Sequence, residues 1–188
     1  MIPYTIERRA DTGVTNVTMG MWLFIASEVM LFGALFSAYA LLRVSAAAWP
    51  SGGDQLNLTL GSTNTMLLMS LTAVAWRART ASPQAARGWL LVSSVLGVAF
   101  LGLKSLEYKA ELTLGLTPAS STFLAMYFTL TGLHALHVIA GIAANLWAAA
   151  GARRVVPEQL RGRVQSIALY WLFVDIVWLI IFGLMYLS

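Results

Sequence analysis

Five apolar stretches, each long enough to cross a bilayer as a helix, constrain this chain more than any single motif in it. They run about Val17 to Leu42, Leu58 to Trp76, Ala85 to Leu103, Thr122 to Ala150 and Val164 to Leu187. A hydrocarbon core of roughly 30 Å requires about 20 helical residues. Inside it each backbone N–H and C=O must find a partner within the segment, so these stretches predict helices and exclude strands. With 59% hydrophobic and only 11% charged residues in 188, the composition leaves no room for an ordinary soluble domain. The reading is all-α: an integral membrane bundle of five transmembrane helices, residues 1–188 forming a single domain. The polar segment Met1 to Asn16 and the length of the first apolar run argue against a cleaved leader.

Turn chemistry and charge organise the connections. Trp49 to Asp54, Ala81-Ser82-Pro83, Leu116 to Ser120 and Val156-Pro157-Glu158 punctuate the runs. Arg8 and Arg9 precede the first helix, Arg77, Arg79 and Arg87 fall between the second and third, and Arg153, Arg154, Arg161 and Arg163 between the fourth and fifth. The opposite side carries only Arg43, Lys104 and Lys109. By the positive-inside rule the N-terminus is expected in the cytoplasm and the C-terminus outside, in a cytoplasmic (inner) membrane of bacterial type. The net charge of +4 follows from that topology, and no basic patch with interleaved aromatics points to nucleic acid. Cys is absent, which excludes disulfides and thiolate metal sites.

Against this apolar background the few ionisable residues stand out. Glu28 is the sole acid of the first run, and an intramembrane carboxyl costs several kcal/mol unless protonated, paired or hydrated. Asp175, about eleven residues into the last helix, is placed near the midplane. His134 and His137, the only histidines, are three apart on one helix face. Two imidazoles could ligate a metal or haem, but a site needs further donors and the chain has no other His and no Cys. Interhelical hydrogen bonding with Glu28 or Asp175 is the expectation, with Gly132 and Gly141 allowing close approach. Lys104 to Lys109, including Glu107 and Tyr108, is expected to close the third helix at the interface with snorkelling side chains. Trp22, Trp76, Trp89, Trp147 and Trp171 are candidate headgroup anchors. An independent proton-linked carrier using these acids and histidines would be expected to show internal repeats and broken helices, which the sequence lacks. No nucleophile and base constellation is present either.

Taken together and in order, these motifs resemble subunit III of the haem-copper terminal oxidases, the cytochrome c oxidase subunit III family. Trp22 to Met30, with Ser27-Glu28-Val29, matches the family's first block, which continues to Phe36-Ser37-Ala38-Tyr39. Asn64-Thr65, Glu107-Tyr108, Thr131-Gly132-Leu133-His134-Ala135-Leu136-His137-Val138 and Tyr170 to Trp178 follow in register. Position 172 is Leu where the family usually has His, and there are five helices where longer members have seven enclosing a lipid-filled cleft. The resemblance implies a non-catalytic subunit of a proton-pumping oxygen reductase in aerobic electron transport. Such a subunit packs on catalytic subunit I beside subunit II, binds structural phospholipid, and supports proton uptake and durability. It implies that haem and copper reside in the partner subunits, with none bound directly by this chain. Glu28 would be the buried, carbodiimide-reactive acid, with Asp175 as a second buried acid and His134, His137, Glu107 and Tyr108 as polar companions. A quinol oxidase subunit III, or the homologous accessory protein of a nitric oxide reductase, are the alternative readings.

Overall fold

In the computed structural model, which describes residues 13–187, the helices are α1 (Asn16–Ser45), the one-turn α2 (Gly52–Gln55), α3 (Leu58–Arg77), α4 (Pro83–Thr113), α5 (Thr122–Gly151) and α6 (Pro157–Tyr186). A 3₁₀ turn, Ala78–Thr80, extends α3. Five of these helices are long and apolar enough to span a membrane. Arg8, Arg9 and the polar start of the chain lie outside the described residues.

Local sequence sets most helix starts. Thr15, Asn57, Ser82 and Ser121 each accept a hydrogen bond from the backbone N–H three residues on, satisfying a donor that the first turn leaves open. Pro83 and Pro157 stand at the first helical position, where a missing N–H costs nothing. The end of α4 is equally explicit. Gly115 adopts φ +76°, the Leu116 N–H returns to the Glu111 carbonyl at 3.0 Å and the Gly115 N–H to that of Leu112 at 3.1 Å. This is the paired closure of a left-handed glycine cap. Hydropathy alone placed the end near Leu103; the helix in fact continues through Lys104, Glu107 and Glu111 to the glycine that stops it.

Helices α3, α4, α5 and α6 form a closed ring, each packed on two neighbours, and α1 lies outside it against α6 with a lesser contact to α5. Leu68, Leu71, Leu90, Phe100, Leu130 and Trp178 fill the ring interior and are wholly buried. At the end where α6 finishes, α2 tucks beneath it. A Cβ on Gly52 would fall 1.7 Å from the Met185 carbonyl oxygen, so only glycine permits that approach. Trp171 is fully enclosed and its ring lies where a Cβ on Gly141 would come within 2.6 Å. It is a packing residue and not a headgroup anchor, whereas Trp22, Trp76, Trp89 and Trp147 remain outward-facing. Among the small residues, Gly141 serves helix contact as expected; Gly132 meets only the Tyr108 hydroxyl, at 3.9 Å from its would-be Cβ.

Candidate functional site

Three groups of interhelical polar contacts stand out among the described residues, on different seams. The first joins α1 to α5. His137 Nδ1 lies 2.8 Å from the Leu133 carbonyl, one turn back on its own helix, and Nε2 lies 3.0 Å from Glu28 Oε2. A carbonyl can only accept, so Nδ1 carries a proton. Nε2 then either accepts from a protonated Glu28 or donates to an ionised one. In both cases the link contains one proton between a carboxyl oxygen and an imidazole nitrogen. Side-chain exposure is 16% for Glu28 and 12% for His137, and the Phe32 ring stands edge-on to the imidazole at 5.1 Å. Tyr170 of α6 donates to the His137 backbone carbonyl at 2.7 Å and fixes that stretch of α5 from the other side.

The second group is a ladder through the ring. Trp171 Nε1 donates to Asn145 Oδ1 at 3.1 Å, and Asn145 Nδ2 donates to Ser93 Oγ at 2.8 Å, tying α6 to α5 to α4. Trp178 Nε1 donates to Thr65 Oγ1 at 3.0 Å, and Thr72 Oγ1 donates to the Trp171 carbonyl at 3.3 Å, tying α6 to α3. These bonds satisfy amide, indole and hydroxyl groups that lipid could not.

The third group surrounds Lys104. Its ammonium has three protons and three acceptors: Glu107 Oε2 at 3.0 Å, Tyr127 Oη at 2.8 Å and Tyr186 Oη at 2.7 Å. Each phenol passes its own proton on, Tyr186 to Glu107 Oε1 at 2.6 Å and Tyr127 to Glu111 Oε1 at 2.8 Å. Lys104 is 3% exposed and Glu107 1%. The expectation of snorkelling interfacial charges is therefore wrong for Lys104 and Glu107. The helix continues past them and its polar face turns inward onto two tyrosines, so an acceptor for each ammonium proton replaces water, while Glu111 Oε2 is left without a partner among the described residues. Tyr108, half-buried, donates to Thr131, whose own hydroxyl proton is committed to the Tyr127 carbonyl.

The remaining expected site residues stand apart. His134 is fully buried between the Phe100 ring at 5.7 Å and the Trp178 ring at 5.1 Å, and neither ring nitrogen has a hydrogen-bond partner among the described residues. It pairs with neither Glu28 nor Asp175, because the 60° offset between i and i+3 turns it into the ring while His137 faces α1. Asp175 is buried against Thr72 of α3 and likewise makes no link to the histidines. Glu28, Asp175 and the two histidines thus do not form a relay. Nor do the histidines suit haem or copper: both nitrogens of His137 are engaged and His134 is walled by rings. Among the described residues no three His, Asp or Glu gather in a metal-binding arrangement. Sequence reading missed Glu111, Tyr127, Tyr186, Asn145 and Ser93. The spacing of 104, 107 and 111 on one helix face, together with Gly115 as a stop signal, carried the clue to the Lys104 cluster.

Fold and sites define a class: a polytopic helical membrane protein tied together by buried interhelical hydrogen bonds and, among the described residues, two acid–base pairs. The description "Cytochrome c oxidase subunit III" belongs to the family model that matches residues 7–188, and the chain is a member of that family. It is a subunit III of a haem-copper oxidase. A cytochrome bo(3) ubiquinol oxidase subunit 3 of Pseudomonas aeruginosa is 33% identical over 182 residues, covering 92% of this chain and 85% of the relative. A cytochrome c oxidase subunit 3 of Thermostichus vulcanus is 34% identical over 175 residues, with 90% and 86% covered. A haem-copper oxidase subunit I+III of Aeropyrum pernix is 33% identical over 187 residues, spanning 92% of this chain and 23% of that longer protein.

Proposed function

We propose that this chain is a single-domain, non-catalytic subunit that clamps the haem- and copper-bearing subunit I of a proton-pumping oxygen reductase through its α1 side, with subunit II in the same complex. The observation that carries this reading is the uneven cover of α1. Ile25, Phe32 and Tyr39 are its buried positions, whereas Trp22, Leu23, Val29, Met30 and Leu41 face outward. Between α1 and α6 runs an apolar groove of about 400 Å³, bordered by Trp22, Phe36, Leu172 and Ile176. In lipid, close packing and not the hydrophobic effect selects a partner helix, and a long groove beside a thinly held helix suits one. The relative in which subunits I and III are one polypeptide supports the same pairing.

The Glu28–His137 link sits on the neighbouring α1–α5 seam and supports proton uptake by keeping one exchangeable proton there. Asp175, His134, Glu107 and Tyr108 act as interior polar companions. The arginine-rich end, with Arg77, Arg79, Arg87, Arg153, Arg154, Arg161 and Arg163, faces the cytoplasm, and structural phospholipid fills the open faces. Internalising Lys104 sharpens the asymmetry, since it leaves Arg43, half-buried, and Lys109, exposed, as the basic residues nearer the opposing surface.

Purification in mild detergent through a tag on this chain tests the reading, with reduced-minus-oxidised spectra and oxygen consumption on the eluate. Haem bands and oxygen uptake are the expected result, and a colourless, folded chain alone would refute it. Cytochrome c and quinol are tried as donors in parallel, because relatives named for each donor match at nearly equal identity.

A further inference from the structure

At the arginine-rich end, a second groove opens between the last turn of α3 and the second turn of α6. It has a volume of about 510 Å³ and is lined by Ala73, Trp76, Arg77, Arg79, Arg161 and Gln165 among others, none of them acidic. Three arginines line it from three separate segments, the α3 terminus, the 3₁₀ turn and α6. Among the described residues the ion pairs are Lys104 with Glu107 and His137 with Glu28, so no acid answers these three arginines.

We infer that this groove binds the phosphodiester headgroup of an anionic phospholipid. Like charges held in one concavity repel unless an anion neutralises them, and a planar guanidinium matches phosphate oxygens two at a time. Arg79 is held in position, its guanidinium lying 3.8 Å over the Trp76 ring. Trp76 is 44% exposed at the end of a spanning helix, the depth at which indoles mark the headgroup layer. Ala73 and Gln165 lie one turn deeper than Arg77 and Arg161 on their helices, so the groove runs from the headgroup level into the hydrocarbon. A soluble anion would need only the rim. A lipid uses both the charged rim and the floor of Ala73 and Gln165 below it.

The inference rests on lipid binding as part of the proposed role, and the test separates the two. The oxidase complex, purified through this chain, is placed in nanodiscs of phosphatidylcholine with phosphatidylglycerol, and native mass spectrometry counts the phosphatidylglycerol that stays bound. R77Q/R79Q/R161Q is expected to retain one phosphatidylglycerol fewer at unchanged haem content, and each single replacement to weaken retention about fivefold, the attraction of one basic residue for an anionic surface. R153Q/R154Q, which removes two exposed arginines at the same end but outside the groove, is expected to retain the full count. Equal counts in wild type and the triple variant would overturn the inference. Displacement of the bound lipid by excess inorganic phosphate would also overturn it, in favour of a site for the free oxyanion. Should the triple variant fail to assemble, R161Q alone decides, because unchanged retention there is equally fatal. Loss of haem from every sample, wild type included, would instead count against the subunit reading.

Discussion

The Lys104 cluster and the Glu28–His137 link both pair a cationic or basic nitrogen with a carboxyl inside a membrane helix bundle, yet they are built for different ends. Around Lys104, three helices contribute five polar side chains, every ammonium proton has an acceptor, and the ion pair is closed to its surroundings. At Glu28 one hydrogen bond joins two helices, both residues remain partly exposed, and the carboxyl belongs to the spanning helix least held by the rest. A dry network in which the buried cation is fully matched specifies a fold. A single proton-bearing link at a loosely covered seam can open, exchange or meet a partner at little cost to that fold.

The largest effect that would test this contrast is expected from Lys104→Met. It removes the cation and leaves Glu107 buried with only a tyrosine donor, a loss of about 3–5 kcal/mol for breaking a buried pair from one side. Little folded chain should survive extraction, as measured by size-exclusion recovery and thermal unfolding in detergent. The double variant K104M/E107Q, neutral at both positions, should regain much of that loss. If K104M alone proved as stable as wild type, the network would be incidental to the fold. Next in size is Gly141→Val, whose side chain must enter space held by the Trp171 ring and should cost about 1–3 kcal/mol by overpacking. Trp171→Phe keeps most of the ring volume but removes the indole donor to Asn145; about 1 kcal/mol is expected, read as a modest drop in melting temperature.

The same contrast explains what the sequence could and could not disclose. Hydropathy alone located five spanning helices, and motif order located the family, because both signals lie along the chain. Partner choice lies across it. Glu28 and His137 are 109 residues apart, and nothing in the Thr131 to Val138 motif distinguishes His137, which reaches α1, from His134, which points into the ring. Lys104 was misread because charges near the end of an apolar run ordinarily snorkel, and that inference depends on where the helix ends. Gly115, with Pro118 shortly after, marked the end ten residues later, and the extension carries Glu107 and Glu111 onto the face that Tyr127 and Tyr186 cover. A reading of caps before hydropathy would have recovered the cluster's α4 half, though not the tyrosines, which come from two other helices.

At the other side of the comparison, Glu28→Gln should scarcely move stability, by less than about 1 kcal/mol. Glutamine is isosteric and its amide can still donate to His137 Nε2 while Nδ1 keeps its bond to the Leu133 carbonyl. What the variant loses is the exchangeable proton. Carbodiimide labelling of this chain should vanish, and the assembled oxidase should inactivate sooner during turnover although its initial oxygen consumption is retained. A fall in melting temperature comparable to that of Lys104→Met would show that the α1 seam is as structural as the closed network.

The smallest effect is expected from Leu172→His, which restores the residue usual in the resembling motif. Leu172 is 37% exposed on the wall of the α1–α6 groove, one residue after Trp171, which is fully buried. A histidine there would replace apolar groove wall with a polar ring without disturbing the ring interior, so the isolated subunit should change by no more than about 0.5 kcal/mol. In the assembled complex the outcome is diagnostic of what fills the groove. An apolar partner helix pressed against Leu172 would leave the imidazole without a hydrogen-bond partner and lower the yield of complex at unchanged subunit level. A lipid chain would yield around the histidine, and assembly would be unchanged. Comparing tagged-subunit recovery with haem recovery for this one variant therefore reports whether the open side of α1 is sealed by protein or by lipid.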